Sequence, residues 1–334
     1  MTKTLVLGGS AWLGRAIAVR ALSRGHEVTC LARGEAGAFA EGVRVVTADR
    51  AAPGAYDEVS ATDWDVVVDV SWQPGLVRSA LAALGERAAT WQYVSSCSVY
   101  ADHSTPDADE SAALLPALST DTAGRETYGE AKVACEQLCS QAVGDRLLIA
   151  RAGLIGGYGD GSDRFGYWPA RFASPRDGQP VLVPDEPGMP TQTIDVLDLA
   201  AWLVACGENA TVGTFNVGGP VTPLGRVLEI ARELAGSTAG VVPASSSWLL
   251  EQEVEEFAGP RSLPLWIADP AWAGFSHRNT DAAVRAGLTW RPVEETAGAA
   301  LRWERELGLD RERRAGLSAA QERELLTAWS HHGD

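Results

Sequence analysis

Apolar residues follow two rhythms over the first 150 positions. Unbroken apolar runs of strand length lie at 4–7, 27–31, 43–47, 65–70, 91–94 and 147–150. Between most of them apolar positions recur at helical spacing, as at 14–23, 76–84 and 129–142. A strand buried on both faces shows no polar alternation, so this succession predicts an α/β fold on a doubly wound parallel sheet. The texture changes after Arg151. Residues 151–190 are rich in Gly, Pro, Asp and Arg and read mostly as loop, and 191–217 returns to strand and helix. Helical patterns follow at 224–234, 281–286, 293–307 and 319–329. The expected layout is a sheet domain of residues 1–150, rejoined by about 191–217. A smaller C-terminal lid from about 151–190 and 218–334 is expected to bind the substrate.

Composition narrows the partners. With 44 acidic against 28 basic residues among 334, the net charge is −16. A nucleic-acid groove or an anionic membrane surface needs clustered Lys and Arg, so neither is expected as a partner. The five cysteines are scattered without metal-ligand spacing and read as small buried hydrophobes of a reducing compartment, with no metal site. The apolar start is broken by Gly8 and Gly9, and no stretch approaches a membrane span, which predicts a cytoplasmic protein.

The chemistry begins at LVLGGSAWLGR, residues 5–15, which joins a strand directly to a helix. A glycine-rich turn there brings backbone close to a pyrophosphate, whose charge then sits on the helix N-terminus. The second strand ends in Ala32 and Arg33. An acid at that place bonds the ribose 2′-hydroxyl of NAD, whereas an Arg accommodates the 2′-phosphate of NADP. Arg33 therefore points to NADP(H), with NAD as the alternative.

YGEAK at 128–132 places Tyr128 and Lys132 four apart, on one face of a helix. An ammonium beside a phenol favours its ionised form, which makes Tyr128 a usable acid/base. VSSCSVY at 94–100 ends the fifth strand, where ligands bind in such sheets. A hydroxyl there, from Ser95, Ser96 or Ser98, can hold a substrate oxygen while Tyr128 exchanges the proton.

Together with RAGLIGG at 151–157, IDVLDLA at 194–200 and FNVG at 215–218, these motifs resemble the extended, or atypical, short-chain dehydrogenase/reductase family, over nearly the whole chain. The resemblance implies a Rossmann sheet and selects Ser96, four residues before Tyr100, as the catalytic serine beside Tyr128 and Lys132. It maps the cofactor loop onto Gly8, Ser10, Ala11, Trp12, Leu13 and Gly14, with Ala11 where the family has its middle glycine. It also assigns Asp49 to the adenine amino group, with Arg50 beside it in the cofactor site.

Two departures bear on the reaction. Cys97 and Ser98 stand where sugar dehydratases of the family carry Asp-Glu, and Leu154 stands where nucleotide-sugar epimerases carry the diphosphate-binding Asn. Both shift weight toward an NADP(H)-dependent oxidoreductase acting on a smaller carbonyl/alcohol substrate. Ser98, Arg164, Tyr167, Trp168 and His277 are its candidate substrate residues, because aromatics beside an Arg suit an apolar body with a polar tip. An NAD-dependent sugar-type epimerase and a catalytically silent cofactor sensor are the rival readings. The expected partners are a small-molecule substrate and, as one assembly the reading allows, a second copy in a homodimer.

Overall fold

The computed structural model describes residues 1–174 and 178–332. The first half runs β1 (Lys3–Leu7), α1 (Trp12–Ser23), β2 (Glu27–Ala32), β3 (Arg44–Thr47), β4 (Trp64–Asp69), α2 (Pro74–Leu84), β5 (Ala88–Ser96), α3 (Tyr128–Val143) and β6 (Leu147–Ala152). Each apolar run is a strand. The helices stop where the chain supplies a reason: α3 ends at Gly144, whose φ of +56° an L side chain rarely adopts. Pro74 opens α2, where its fixed φ suits the first turn and its missing N–H costs nothing.

The remainder contains β7 (Leu154–Gly156), α4 (Tyr167–Ala173), β8 (Val181–Pro184), β9 (Pro190–Asp195), α5 (Val196–Glu208), β10 (Gly213–Val217), β11 (Val221–Pro223) and α6 (Leu224–Ala235). Then come β12 (Val241–Ala244), α7 (Ser246–Glu251), β13 (Glu255–Phe257), β14 (Ser262–Pro264), α8 (Asp281–Arg285), α9 (Val293–Leu307) and α10 (Ala319–Ser330).

Seven strands form one parallel sheet in the order β10-β6-β5-β4-β1-β2-β3. Alternate residues of its strands face opposite cores. Leu5, Leu7, Val67, Trp91 and Tyr93 join Val77, Leu84 and Cys139 on the α2/α3 side. Val6, Val28, Val68 and Val94 join Ile17, Ala21, Leu199 and Leu203 on the α1/α5 side. Both faces exclude water, so the strands read as unbroken apolar runs. Each fully buried Leu, Val or Ile contributes about 1.5–3 kcal/mol. All five cysteines are buried and free, and Cys30, Cys135, Cys139 and Cys206 lie in these cores.

Chain order reverses between β1, which runs on to β2, and its other neighbour β4, so the loops after β1 and β4 flank a switch point. Ligands of such sheets bind there, beyond the carboxyl ends of the strands.

Residues 151–190 hold more structure than their composition suggests, because β7, β8 and α4 are too short to display a period. Only β10 of the 191–217 segment enters the main sheet. β9 pairs instead with β7 and β11 in a separate three-stranded sheet. A third apolar cluster lies wholly beyond residue 153 and includes Trp168, Phe172, Leu182, Ile230, Trp248 and Trp266. Among the described residues no helix is long and apolar enough to cross a membrane.

Candidate active site

The turn after β1 is built by close backbone approach. Gly8 has φ +97°, and a Cβ on it would meet Val70 at 2.6 Å. A Cβ on Gly14 would stand 2.2 Å from the Gly8 carbonyl oxygen, so helix α1 can press on the turn only with glycine there. Ala11 fits as the N-cap, with φ −72° and ψ 155°, and its amide donates to the Gly8 carbonyl at 3.0 Å. The missing middle glycine therefore does not break the turn. No side chain caps α1 and its first turn carries no acid, which leaves its amides and dipole available to an anion. Gly14→Ala is expected to lower stability by about 1–3 kcal/mol through this clash. It should also weaken dinucleotide binding at least as strongly as any loop variant, as thermal melts with and without NADPH will show.

A crevice of about 800 Å³ runs from this turn along the ends of β2, β3 and β4. Gly8, Ser10 and Ala11 line it, with Ala32, Arg33 and Asp49 at the far end. Arg33 is largely exposed and pairs with exposed Glu35 at 3.2 Å, a contact worth little, so its guanidinium is free to turn. Asp49 is exposed and accepts from the Ala51 amide at 3.0 Å.

Arg50 also lines the crevice, but its donors are spent within the protein. Its Nε donates to the Tyr56 hydroxyl at 2.9 Å, and its two Nη atoms fork onto Asp69 at 3.0 and 2.7 Å. The remaining donors go to Ser71 Oγ and the Leu76 carbonyl. All five N–H groups are thus engaged, leaving none for a phosphate. Burial pushes the Asp69 carboxyl up, but Arg50 and then Ser71 more than offset it and hold it below the ordinary carboxylate range.

Ala11 and Val70 also line a second cavity of about 450 Å³. Ser96, Tyr128 and Lys132 meet on it, joined by Trp12, Leu13, Ser98 and Arg164. Ser96 Oγ accepts from the Ser98 amide and donates to Ser98 Oγ, both at 3.1 Å. Ser95 points the other way, donating to buried Glu136 at 2.5 Å. Lys132 is 3 % exposed and donates to the carbonyls of Ser71 at 3.0 Å and Val94 at 2.6 Å. Two of its three donors are used, and one remains. Its ammonium sits 5.9 Å from the Tyr128 ring centroid, and the ring rests against Trp72 at 5.5 Å.

Beneath this floor Glu136 takes both Nε and Nη2 of Arg151, at 3.1 and 2.8 Å. Arg151 in turn donates to Tyr100, which donates to Asn216 at 2.5 Å. This buried relay ties α3, β5, β6 and β10 together behind Ser96.

Three of the expected substrate residues lie elsewhere. Tyr167 and Trp168 are at most 1 % exposed, because α4 turns them into the third apolar cluster, where Trp168 donates to the Pro264 carbonyl at 2.7 Å. His277 is half-buried in a turn and does not line the cavity, although its neighbours Phe275 and Ser276 do. Trp12 lines it but also braces the facing turn through a 2.8 Å bond to the Tyr158 carbonyl.

The cavity also contains Asp160, Ser162, Gln192, Phe257 and Phe275, which sequence reasoning missed. Only the acid-rich GYGDGSD stretch at 157–163 carried a local signal. The carbonyls that hold Lys132 left none, since any residue type supplies one.

The sheet order, the glycine turn and the helix it feeds define a Rossmann-like α/β fold. Among solved structures, the chain shares this fold with UDP-sugar epimerases. UDP-N-acetylglucosamine 4-epimerase from Bacillus cereus is 17% identical, over 93% of this chain and 98% of that one, with a TM-score of 0.66. The UDP-Glc/GlcNAc 4-epimerase of Campylobacter jejuni is 16% identical, over 92% of this chain and 100% of its own, with a TM-score of 0.68. UDP-glucose 4-epimerase from Thermus thermophilus, solved in complex with NAD, is 18% identical over 91% and 99% of the two chains, with a TM-score of 0.60. No family model and no curated protein matches the sequence.

Proposed function

We propose that this chain is an NAD(P)-dependent enzyme of the extended short-chain dehydrogenase/reductase family, moving a hydride to or from a carbonyl/alcohol carbon of a small molecule. The observation that carries this is the meeting of Ser96, Tyr128 and Lys132 on one cavity that shares Ala11 and Val70 with the crevice at the open α1 N-terminus. Residues 8–11 and the first amides of α1 would hold the pyrophosphate, Asp49 the adenine, and the third donor of Lys132 the nicotinamide ribose. A bound nicotinamide dinucleotide supplies the hydride donor or acceptor. Ser96 hydrogen-bonds the substrate oxygen, Tyr128 gives that oxygen its proton or removes it, and Lys132 stabilises the phenolate left behind.

Two readings of the net reaction share this chemistry. Likeness to solved epimerases, one of them holding NAD, supports an NAD-dependent sugar-type epimerase. Three residues speak for net oxidoreduction with NADP(H): Leu154 lines the cavity, and Ala32, in place of the ribose-binding acid, and Arg33 line the crevice. The likeness to solved structures favours the first reading, and the second rests on these three residues alone.

The test is cofactor retention and choice. The protein is expected to purify free of NAD and to bind NADPH more tightly than NADH. Arg33→Ala should erase a difference of about 1.5–3 kcal/mol. UDP-glucose should leave the melting temperature unchanged, whereas a true ligand at 100 times its Kd adds about 2.7 kcal/mol. Co-purified NAD with a clear UDP-glucose shift would establish the epimerase. Equal affinity for both cofactors would remove NADP and leave the fold untouched.

A further inference from the structure

The cavity holds a cation with most of its donors open, Arg164, beside the acid Asp160. Arg164 uses one donor, Nε to Ser162 Oγ at 3.3 Å, and stacks its guanidinium over the Phe257 ring at 5.2 Å. Among the described residues its other four N–H groups meet no hydrogen-bond acceptor. Asp160 is the acid beside it, but its carboxylate is bound to the Ser162 amide at 2.8 Å and the Ser162 hydroxyl at 3.0 Å.

Arg164 is partly buried, whereas the fully buried arginines among the described residues behave differently. Arg50 pairs with Asp69, Arg151 with Glu136 and Arg171 with Glu322. Arg278 is unpaired but lies off the cavity, stacked on Tyr100 at 4.4 Å and donating to the Asp102 carbonyl. A desolvated cation with open donors is costly unless an anion meets it. Burial accordingly pulls the Arg164 pKa down.

The backbone is bent to make the arrangement. Phe257 holds φ +62°, a conformation bulky side chains avoid, and this seats its ring under the guanidinium.

We infer that the substrate is a carboxylic acid, its carboxylate gripped by Arg164, its apolar body among Leu154, Ile155 and Phe275, and its carbonyl or alcohol turned to Ser96 and Tyr128. This rests on the proposed function and names the substrate class of the same site. The charge count favours a carboxylate over a diphosphate. Lys132 and Arg164 are the cations lining the cavity, and Lys132 is largely committed to carbonyls. One free fork matches one carboxylate, which it binds bidentately.

Titration calorimetry of the full chain, with and without NADP⁺, tests this using phenylpyruvate and its methyl ester. The acid is expected to bind roughly 10- to 100-fold more tightly than the ester. Arg164→Gln should abolish the preference and Arg164→Lys retain part of it, with circular dichroism reporting that each variant is folded. Lack of an acid preference in the unmodified protein, or its persistence in Arg164→Gln, overturns the inference. So does UDP-glucose binding that depends on Arg164, which would assign the site to phosphate. These binding measurements need no turnover. Failure of the proposed function would appear separately, as absent NADPH and NADH binding, while the acid preference stood.

Discussion

Tyr128→Phe is expected to slow turnover by roughly 10²–10⁴ while leaving cofactor affinity nearly unchanged. The ring packs against Trp72, and Phe keeps that contact. Lys132 is held by the Ser71 and Val94 carbonyls, so deleting the hydroxyl does not release the ammonium. Only the transferable proton disappears. Steady-state consumption of NADPH with an accepted carbonyl substrate, beside a separate cofactor titration, measures the two effects independently. Normal turnover in Tyr128→Phe would refute the mechanism. Cofactor binding with no substrate found for the unmodified protein would favour the sensor.

Arg50→Met should cost about 3–5 kcal/mol of stability at neutral pH, because it strands the Asp69 carboxylate, which has no exposed surface, without its partner. The pH dependence follows from the direction of the Asp69 shift. Its folded pKa lies below the ordinary 3.8, so the unmodified protein has the full benefit of the pair at neutral pH. That benefit is lost as pH falls below about 4 and through the folded value. Without Arg50, only the Ser71 hydrogen bonds oppose burial, so the Asp69 pKa rises relative to the unmodified protein and the variant's penalty eases on acidification. Denaturant melts at pH 7 and pH 4 should therefore show the gap between the two proteins narrowing. Were Arg50 instead a phosphate ligand, its loss would change the NADPH/NADH ratio and leave the melts alike.

What the sequence by itself determined was set by strong local rules. The strands of the main sheet could be read because burial on both faces keeps 4–7, 27–31 and 65–70 mostly apolar, without the alternation of a half-exposed strand. The first turn could be read because Gly8 and Gly14 meet a steric demand that glycine alone satisfies. Tyr128 and Lys132 could be read because helical geometry brings residues four apart together whatever surrounds them.

Tertiary structure decided what depends on direction and distance. An arginine near a phosphate site and an arginine in an ion pair look alike in sequence, and only the fold shows Arg50 forked onto Asp69, 19 residues away. Ser95 and Ser96 are adjacent hydroxyls at the end of one strand. Both line the cavity, but the pleat commits the Ser95 hydroxyl to Glu136 and sets that of Ser96 beside Ser98. Tyr167, Trp168 and Arg164 sit within five positions, yet Arg164, in the loop before α4, lines the cavity while the other two, on α4, enter the core. Phe257 and Phe275 reach the site from about a hundred residues beyond Arg164, and no local pattern records such a return. Side-chain spacing is written in the chain, whereas the facing of a side chain and the company it keeps arise only when distant segments pack.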